Sequence, residues 1–327
     1  MRTKKKFEDD LGLGKQATSK NQRTLNRDGS FNVNYVGLDK WARFNIFHAL
    51  ITMKWWKFNT IVILSYFLIN IVFGAIYYFI GMEFLMGSLG KTELEKFGDA
   101  FFFSSQTLTT LGYGRISPVG FTASFVAAFE SMLGLMGFAL ITGLLYGKFS
   151  RPVAKIVQST EAVIAPYLDM NAFMFRIANG KKSQLIEVEI QVIFSYNENK
   201  DGHVSRRFIQ LELERNKVAL FPSSWTIVHP IDDNSPIKNQ TPKQLEETNA
   251  EFYIILKAFE DSFSQTVYWR SSYKFSELNW AAKFVKNITQ EADGTVTIDM
   301  SVFNKTEKVN LNSWDYLSTT KNINELV

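Results

Sequence analysis

The stretch Thr109-Thr110-Leu111-Gly112-Tyr113-Gly114 sets the reading of the whole chain. Glycine takes positive φ without steric cost, so two glycines flanking a tyrosine allow an extended backbone whose successive carbonyl oxygens all point one way. Four such segments around an axis would stack rings of oxygen. A Gly-Tyr-Gly run is also an ordinary turn, and its surroundings decide between the two. It follows an aromatic-rich segment of short-helix length, Asp99 to Thr109, and it lies between two apolar stretches long enough to cross a bilayer.

Thr60 to Ile80 carries no charge over 21 residues, about 31 Å as a helix, and predicts an outer helix over about 59–80. Residues 82–98 read as a polar turret, 99–109 as a short helix, 110–114 as the oxygen-lined loop, and about 120–149 as an inner helix. The inner span is uncharged from Phe121 to Gly147 except for Glu130. An acid at mid-membrane depth costs a few kcal/mol, so Glu130 is expected to face protein, hydrogen-bonding behind the oxygen-lined loop, or to lie near the outer interface. Upstream, residues 1–35 read as a flexible polar tail with no apolar run of signal-peptide type. Residues 36–57 read as an interfacial helix followed by a Lys54-Trp55-Trp56-Lys57 belt at the headgroups.

Charge orients this arrangement. Residues 1–57 hold 12 basic and 5 acidic side chains, whereas 81–99 hold 2 and 4. The positive-inside rule therefore puts the amino terminus of this multi-pass membrane protein in the cytoplasm, and with two spans the carboxyl terminus there too. The net charge of +4 over 327 residues does not point to nucleic acid. The absence of cysteine excludes disulfides and thiolate chemistry. His48, His203 and His229 show no metal or triad spacing, and no nucleophile, acid and base set or phosphate loop appears, so an enzyme and a cofactor are not expected.

After Arg151-Pro152 the chain turns β-rich. Runs at 185–194, 225–228, 252–259 and 295–300, separated by turn clusters at 197–202, 232–236 and 293–294, predict an antiparallel sandwich over 151–310 and a loose tail over 311–327.

The hexapeptide resembles the filter of potassium channels, whose Thr-Val-Gly-Tyr-Gly carbonyls replace the water shell of the ion. The second half is more specific. Arg176-Ile177-Ala178-Asn179 with Lys181-Lys182-Ser183, Thr226 to Asp232 with Ser235-Pro236, and Arg270-Ser271-Ser272-Tyr273 resemble the cytoplasmic domain of inward-rectifier potassium channels. With the filter and Lys148 to Pro152, the resemblance covers about residues 35–305, and it is nearest the prokaryotic, KirBac-type branch.

The resemblance implies a membrane pore module of two transmembrane helices with a pore helix and filter, joined to an immunoglobulin-like β-sandwich, as a homotetramer around one pore. Thr110, Leu111, Gly112 and Tyr113 would supply oxygens to K+, and Gly114 would turn the chain away. Gly134 matches an inner-helix glycine, read as a hinge or as a close-packing position. Thr142 and Tyr146, four apart on one helix face, match the constriction at the bundle crossing, although a tyrosine near a membrane end is also an ordinary anchor. Lys54, Lys57, Lys148, Arg151 and Lys181 match or adjoin positions that meet anionic, phosphoinositide-like headgroups, each worth about 1 kcal/mol near the surface.

Several residues depart from the family pattern. Strong rectifiers carry an acid where Phe138 stands, so polyamine or Mg2+ block is expected to be weak, with Glu187 and Glu277 left as candidate acids of the cytoplasmic pore. At the outer mouth, Gln106 replaces a pore-helix glutamate and Arg115 follows the filter, with Glu130 nearby. Four arginines there would lower conductance, unless Arg115 pairs with Glu130 or a turret acid. The alternatives are a weakly selective cation channel, or a membrane-tethered β-sandwich binding module with a degenerate pore.

Overall fold

The structure is a computed structural model that describes residues 23–34, 37, 45–150, 154–181, 183–221 and 224–312. It divides into two compact units, Val36–Arg151 and a second formed by Met1–Tyr35 with Pro152–Val327.

The first unit runs α1 (Ile46–Thr52), α2 (Trp55–Ile80), β1 (Leu85–Met86), α3 (Glu93–Leu108), β2 (Ser117–Pro118) and α4 (Phe121–Phe149). The side chain of Asn45 caps α1 by accepting the His48 amide at 3.0 Å. The remainder of the expected interfacial helix, residues 38–44, lies outside the described residues. Helices α2 and α4, of 26 and 29 residues, are long and apolar enough to cross a membrane. Between them α3 packs against both, around Phe73, Tyr77, Ala100, Phe103 and Ala127.

Two helix starts differ from the expectation. Helix α2 begins at Trp55 rather than near 59, so the aromatic belt forms its first turn. Helix α3 begins at Glu93 rather than Asp99. Thr92 and Glu95 make a reciprocal capping box, with the Glu95 amide donating to Thr92 Oγ1 at 3.2 Å and the Thr92 amide donating to Glu95 Oε2 at 3.1 Å. Two amides that would otherwise be orphaned are satisfied, and the last turret residues become helix.

The second unit contains β3 (Ile156–Gln158), β4 (Ala162–Tyr167), β5 (Met170–Asn179), β6 (Leu185–Lys200), β7 (His203–Leu211), β8 (Lys217–Leu220) and β9 (Ser224–Pro230). Then come α5 (Pro242–Glu247), β10 (Glu251–Glu260), β11 (Gln265–Lys274), β12 (Leu278–Trp280), β13 (Ala282–Phe284), β14 (Ile288–Gln290), β15 (Val296–Ile298) and β16 (Thr306–Lys308). One sheet has the order β11-β10-β6-β7 with β8 also on β6, and the other β12-β4-β5-β3 with β9 also on β5. Their facing rings meet directly. Phe173 of β5 stacks on Phe252 of β10 with centroids 4.4 Å apart.

This is the expected sandwich, with two corrections. The pairing of β12 with β4 is parallel. The turn cluster at 197–202 is mostly strand, because β6 runs to Lys200 and only Asp201 and Gly202 turn, at φ 52° and 79°. Positive φ at both central residues is the hairpin geometry that Asp-Gly favours.

The amino-terminal segment is also ordered where it is described. Leu25 is buried with Ile193 and Tyr253, and it bridges to Phe31. The amides of Thr24 and Leu25 donate to the carboxylate of Glu251 at 3.2 and 3.3 Å. Residues 23–34 are therefore part of the sandwich rather than a flexible tail, since a buried acid needs those donors. At the other end Asn312 bonds Met170 O and Asn171 Oδ1 at 2.7 and 3.0 Å, which extends the ordered chain past 310. Residues 313–327 lie outside the described residues.

Candidate functional site: an oxygen-lined loop and its supports

Every second residue of the loop is left-handed. Thr110, Gly112 and Gly114 have φ 58°, 54° and 82°. Alternating handedness turns successive peptide planes back toward one side, which is how a short loop aligns its carbonyl oxygens. Thr110 holds this conformation despite its β-branch, an arrangement that costs about 1 kcal/mol or more and persists only where the surroundings enforce it. Enforcement comes from the end of α3. The Gln106 carbonyl accepts the Leu111 amide at 2.8 Å and the Gly112 amide at 3.4 Å, and the Thr107 carbonyl accepts the Thr110 amide at 3.1 Å. Tyr113 and Leu111 remain exposed in the single chain.

Helix α3 is seated between the two long helices by small residues and buried polar groups. A Cβ on Gly134 would lie 2.0 Å from the Leu108 carbonyl oxygen, and one on Gly74 would lie 3.1 Å from Phe101 Cα. Gly134 is therefore a close-approach position, and of its two readings the structure supports packing rather than a hinge. Four residues earlier, Glu130 is fully buried. Tyr77 donates its hydroxyl to Glu130 Oε2 at 2.6 Å, and Ser104 Oγ lies 2.5 Å from Oε1. Ser104 also lies 3.1 Å from Asn70 Oδ1, and Asn70 Nδ2 donates to the Tyr66 carbonyl at 2.7 Å. Glu130 thus belongs behind the pore helix rather than at the outer mouth, because these partners replace the water it loses.

At the outer mouth Arg115 Nη2 donates to Asp99 Oδ1 at 2.7 Å. The other oxygen of Asp99 accepts Ser88 Oγ and the amides of Leu89 and Gly90 at 3.0, 2.9 and 3.0 Å. The expected partners of Arg115 were Glu130 or a turret acid, and the observed one is an acid inside α3. Its charge thus has a partner within the chain.

On α4, Phe138, Thr142 and Tyr146 follow at intervals of four and are all exposed in the single chain. Thr142 Oγ1 donates to the Phe138 carbonyl at 2.8 Å, as threonines in helices commonly do.

Two family models match this chain. "Inward rectifier potassium channel C-terminal domain" covers residues 156–324, and "Ion channel" covers 65–150. The chain is 33% identical over 295 residues to the inward rectifier potassium channel Kirbac3.1 of Paramagnetospirillum magnetotacticum, spanning 89% of this chain and 98% of that one. The chain belongs to the inward rectifier potassium channel family. The G protein-activated inward rectifier potassium channel 2 of Mus musculus is 28% identical over 315 residues, covering 87% of this chain and 72% of the relative. Its Rattus norvegicus counterpart is 28% identical over 313 residues, with 88% and 72%. Among solved structures, Spo0M, a sporulation control protein from Bacillus subtilis, has a TM-score of 0.23 and 12% identity, over 38% of this chain and 49% of that one, and carries no argument.

The other candidate residues of the channel fare unevenly. Lys54 and Lys57 are exposed, the first as the N-cap of α2 and the second over the Trp56 ring at 5.5 Å. Lys181 is exposed, and Arg151 lies outside the described residues. Lys148 is only 9% exposed, its ammonium facing backbone carbonyls. Glu187 is exposed at φ 50°, where β6 shifts register against β10. Glu277 is not a free acid. Arg23 Nη2 donates to it at 2.6 Å, Arg27 Nε stands 3.4 Å away, and the Lys274 amide donates at 2.8 Å.

Reading the sequence did not find Asp99, Asn70, Ser104 or Tyr77. A signal existed for part of the set. Asn70, Gly74 and Tyr77 recur at helical spacing inside an otherwise apolar run, as do Glu130 and Gly134.

Among the described residues no group of three or more His, Cys, Asp or Glu side chains could hold a metal ion. His229 is buried, with Nδ1 2.5 Å from the Glu212 carbonyl and Nε2 2.8 Å from Ser235 Oγ. Burial pushes its pKa below the usual imidazole value.

Proposed function

We propose that the channel works as a homotetramer selective for potassium in the cell inner membrane, with both termini in the cytoplasm. K+ would be held by backbone oxygens of Thr110, Leu111, Gly112 and Tyr113 and by the Thr110 hydroxyl, with Gly114 turning the chain away. The observation that carries this reading is the alternating positive φ at 110, 112 and 114, pinned by the Gln106 and Thr107 carbonyls. Four Tyr146 rings, with Thr142 one turn above, would meet at the axis and close the inner end. Lys54, Lys57 and Lys181 would read anionic, phosphoinositide-like headgroups. Rectification would be weak: Phe138 offers no charge, and Glu277 is already paired, leaving Glu187 to attract polyamine or Mg2+.

The test is uptake of labelled rubidium into liposomes containing the purified channel, driven by a potassium gradient. Uptake that barium blocks and sodium does not support is the expected result. Equal support by sodium would favour the second reading, a weakly selective cation channel. Gln106 speaks for it, since it stands where the family pattern has a pore-helix glutamate.

A further inference from the structure

We propose that Asn70 sets the direction of a chain of hydrogen bonds behind α3, and that Glu130 enters this chain as an un-ionised acid donating to Ser104. The consequence for ion selection rests on the reading of residues 110–114 as the filter.

Asn70, Tyr77, Ser104 and Glu130 are enclosed together, each with 0% exposure. Enclosed polar groups must satisfy one another, since a buried donor or acceptor left unpaired is costly. Asn70 supplies the fixed point. One end of its amide lies 2.7 Å from the Tyr66 carbonyl oxygen, which can only accept, so that end is the nitrogen. The other end, Oδ1, therefore faces Ser104 Oγ at 3.1 Å and also can only accept.

Ser104 has a single hydroxyl proton and two neighbouring acceptors, Asn70 Oδ1 and Glu130 Oε1, the second 2.5 Å away. With that proton on the Asn70 side, the short contact to Glu130 needs a proton from the carboxyl. Tyr77 donates to Oε2 at 2.6 Å, which leaves Oε1 as the oxygen that carries it. The bonds then run one way, from Tyr77 to Glu130 to Ser104 to Asn70 to the Tyr66 carbonyl, and each donor meets one acceptor. A carboxylate would take the Ser104 proton instead. Asn70 Oδ1 would then lose the one donor it has among the described residues, and a net charge would be buried.

The chain of bonds crosses three helices, with Tyr77 and Asn70 on α2, Ser104 on α3 and Glu130 on α4. It ends at the turn that supports the loop. Ser105 Oγ meets the Tyr66 hydroxyl at 2.5 Å, and the Ser105 carbonyl accepts the Thr109 amide at 3.2 Å. Gln106, next along, holds the amides of Leu111 and Gly112. Asn70 is thus a positioning residue. It locks the turn carrying Ser104, Ser105 and Gln106 against α2, and it does so without placing a charge behind the loop.

The experiment uses the full-length channel in liposomes. Infrared spectra at alkaline pH, where exposed carboxyls are ionised, are taken of the intact channel and of Asn70→Leu, each against its Glu130→Gln counterpart. A carboxylic-acid carbonyl band is expected for the intact channel, and a shifted one for Asn70→Leu because Ser104 loses its acceptor. A carboxylate band instead, or an acid band that Asn70→Leu leaves unmoved, would overturn the proposal. Potassium-over-sodium selectivity, from bi-ionic reversal potentials, is expected to fall about tenfold in Asn70→Leu. Glu130→Gln should keep most of the selectivity that Glu130→Leu loses, because a carboxamide still accepts from Tyr77 and donates to Ser104. Equal losses in those two variants would overturn the donor role, since charge would then be what matters. An intact channel that does not separate the two ions would overturn the filter reading, and the infrared bands alone would then decide the direction of the bonds. If Asn70→Leu does not assemble, Ser104→Ala takes its place, since it removes the same link.

Discussion

Arg115, just past the loop 110–114, and Asp99, in the first half of α3, are joined by a single 2.7 Å contact, and Asp99 alone also holds the turret at Ser88, Leu89 and Gly90. The two partners are therefore unequal. Arg115 is more than half exposed, and such a pair is worth about 0–1 kcal/mol. Replacing Asp99 with alanine is expected to lower potassium-over-sodium selectivity about tenfold, and Arg115→Met no more than about threefold. Bi-ionic reversal potentials measure both. A larger effect at Arg115 would mean that the turret bonds do not matter.

Gly134→Ala is expected to behave as an overpacked core variant. The added methyl meets the Leu108 carbonyl, a strain of about 1–3 kcal/mol. Thermal unfolding in detergent should show a lowered midpoint, together with weakened selectivity because Leu108 leads directly into the loop. Gly143→Ala, whose Cβ meets nothing in the chain, is the comparison. Equal behaviour of the two would return Gly134 to the hinge reading.

Tyr146→Ala is expected to raise rubidium uptake tenfold or more, equivalent to about 1.4 kcal/mol in the open–closed equilibrium. No rise, with the protein still assembled as before, would mean that the exposed ring is an interface anchor.

Spermine applied from the cytoplasmic face is expected to block shallowly with voltage. Glu277→Gln should leave that block unchanged, because the carboxylate it removes is already matched by Arg23 and Arg27. Phe138→Glu should make it steep. A marked loss of block in Glu277→Gln would show that the pairing opens in the working channel.

Acid is expected to destabilise the β-sandwich through His229. Its folded pKa lies below the unfolded value because burial opposes the charge. The unfolded chain therefore takes up the proton first, near pH 6.5, and stability present above that pH is lost as pH falls, by up to about 1.4 kcal/mol per unit. Unfolding midpoints between pH 8 and 5 should fall more steeply than those of His229→Gln. Parallel curves would remove His229 from the account.

The two long helices and the loop between them were largely legible because their signals are local. The hexapeptide at 109–114 and the two uncharged runs each declare themselves within a few residues. What could not be read is distant pairing. Nothing near Glu277 announces Arg23, which lies 254 positions away, and Asp99 and Arg115 come together only because the chain doubles back around the filter. The surroundings of Lys148 were not readable for a related reason. A long side chain on a membrane-end helix can reach either water or a neighbouring helix end, and its position alone does not say which. The capping box at Thr92 and Glu95 was local and still missed, since the polar turret composition outweighed a four-residue pattern.

Glu251 makes the two ends of the chain interdependent. This fully buried acid faces Arg206 at 3.5 Å and takes the Tyr253 hydroxyl at 3.2 Å, yet two of its donors are amides from Thr24 and Leu25. A sandwich excised at Pro152 for solution work would keep the acid and lose those donors. Such a fragment would be the wrong reference for the stability of the intact protein, and a co-expressed peptide spanning residues 23–34 is the natural means of restoring it.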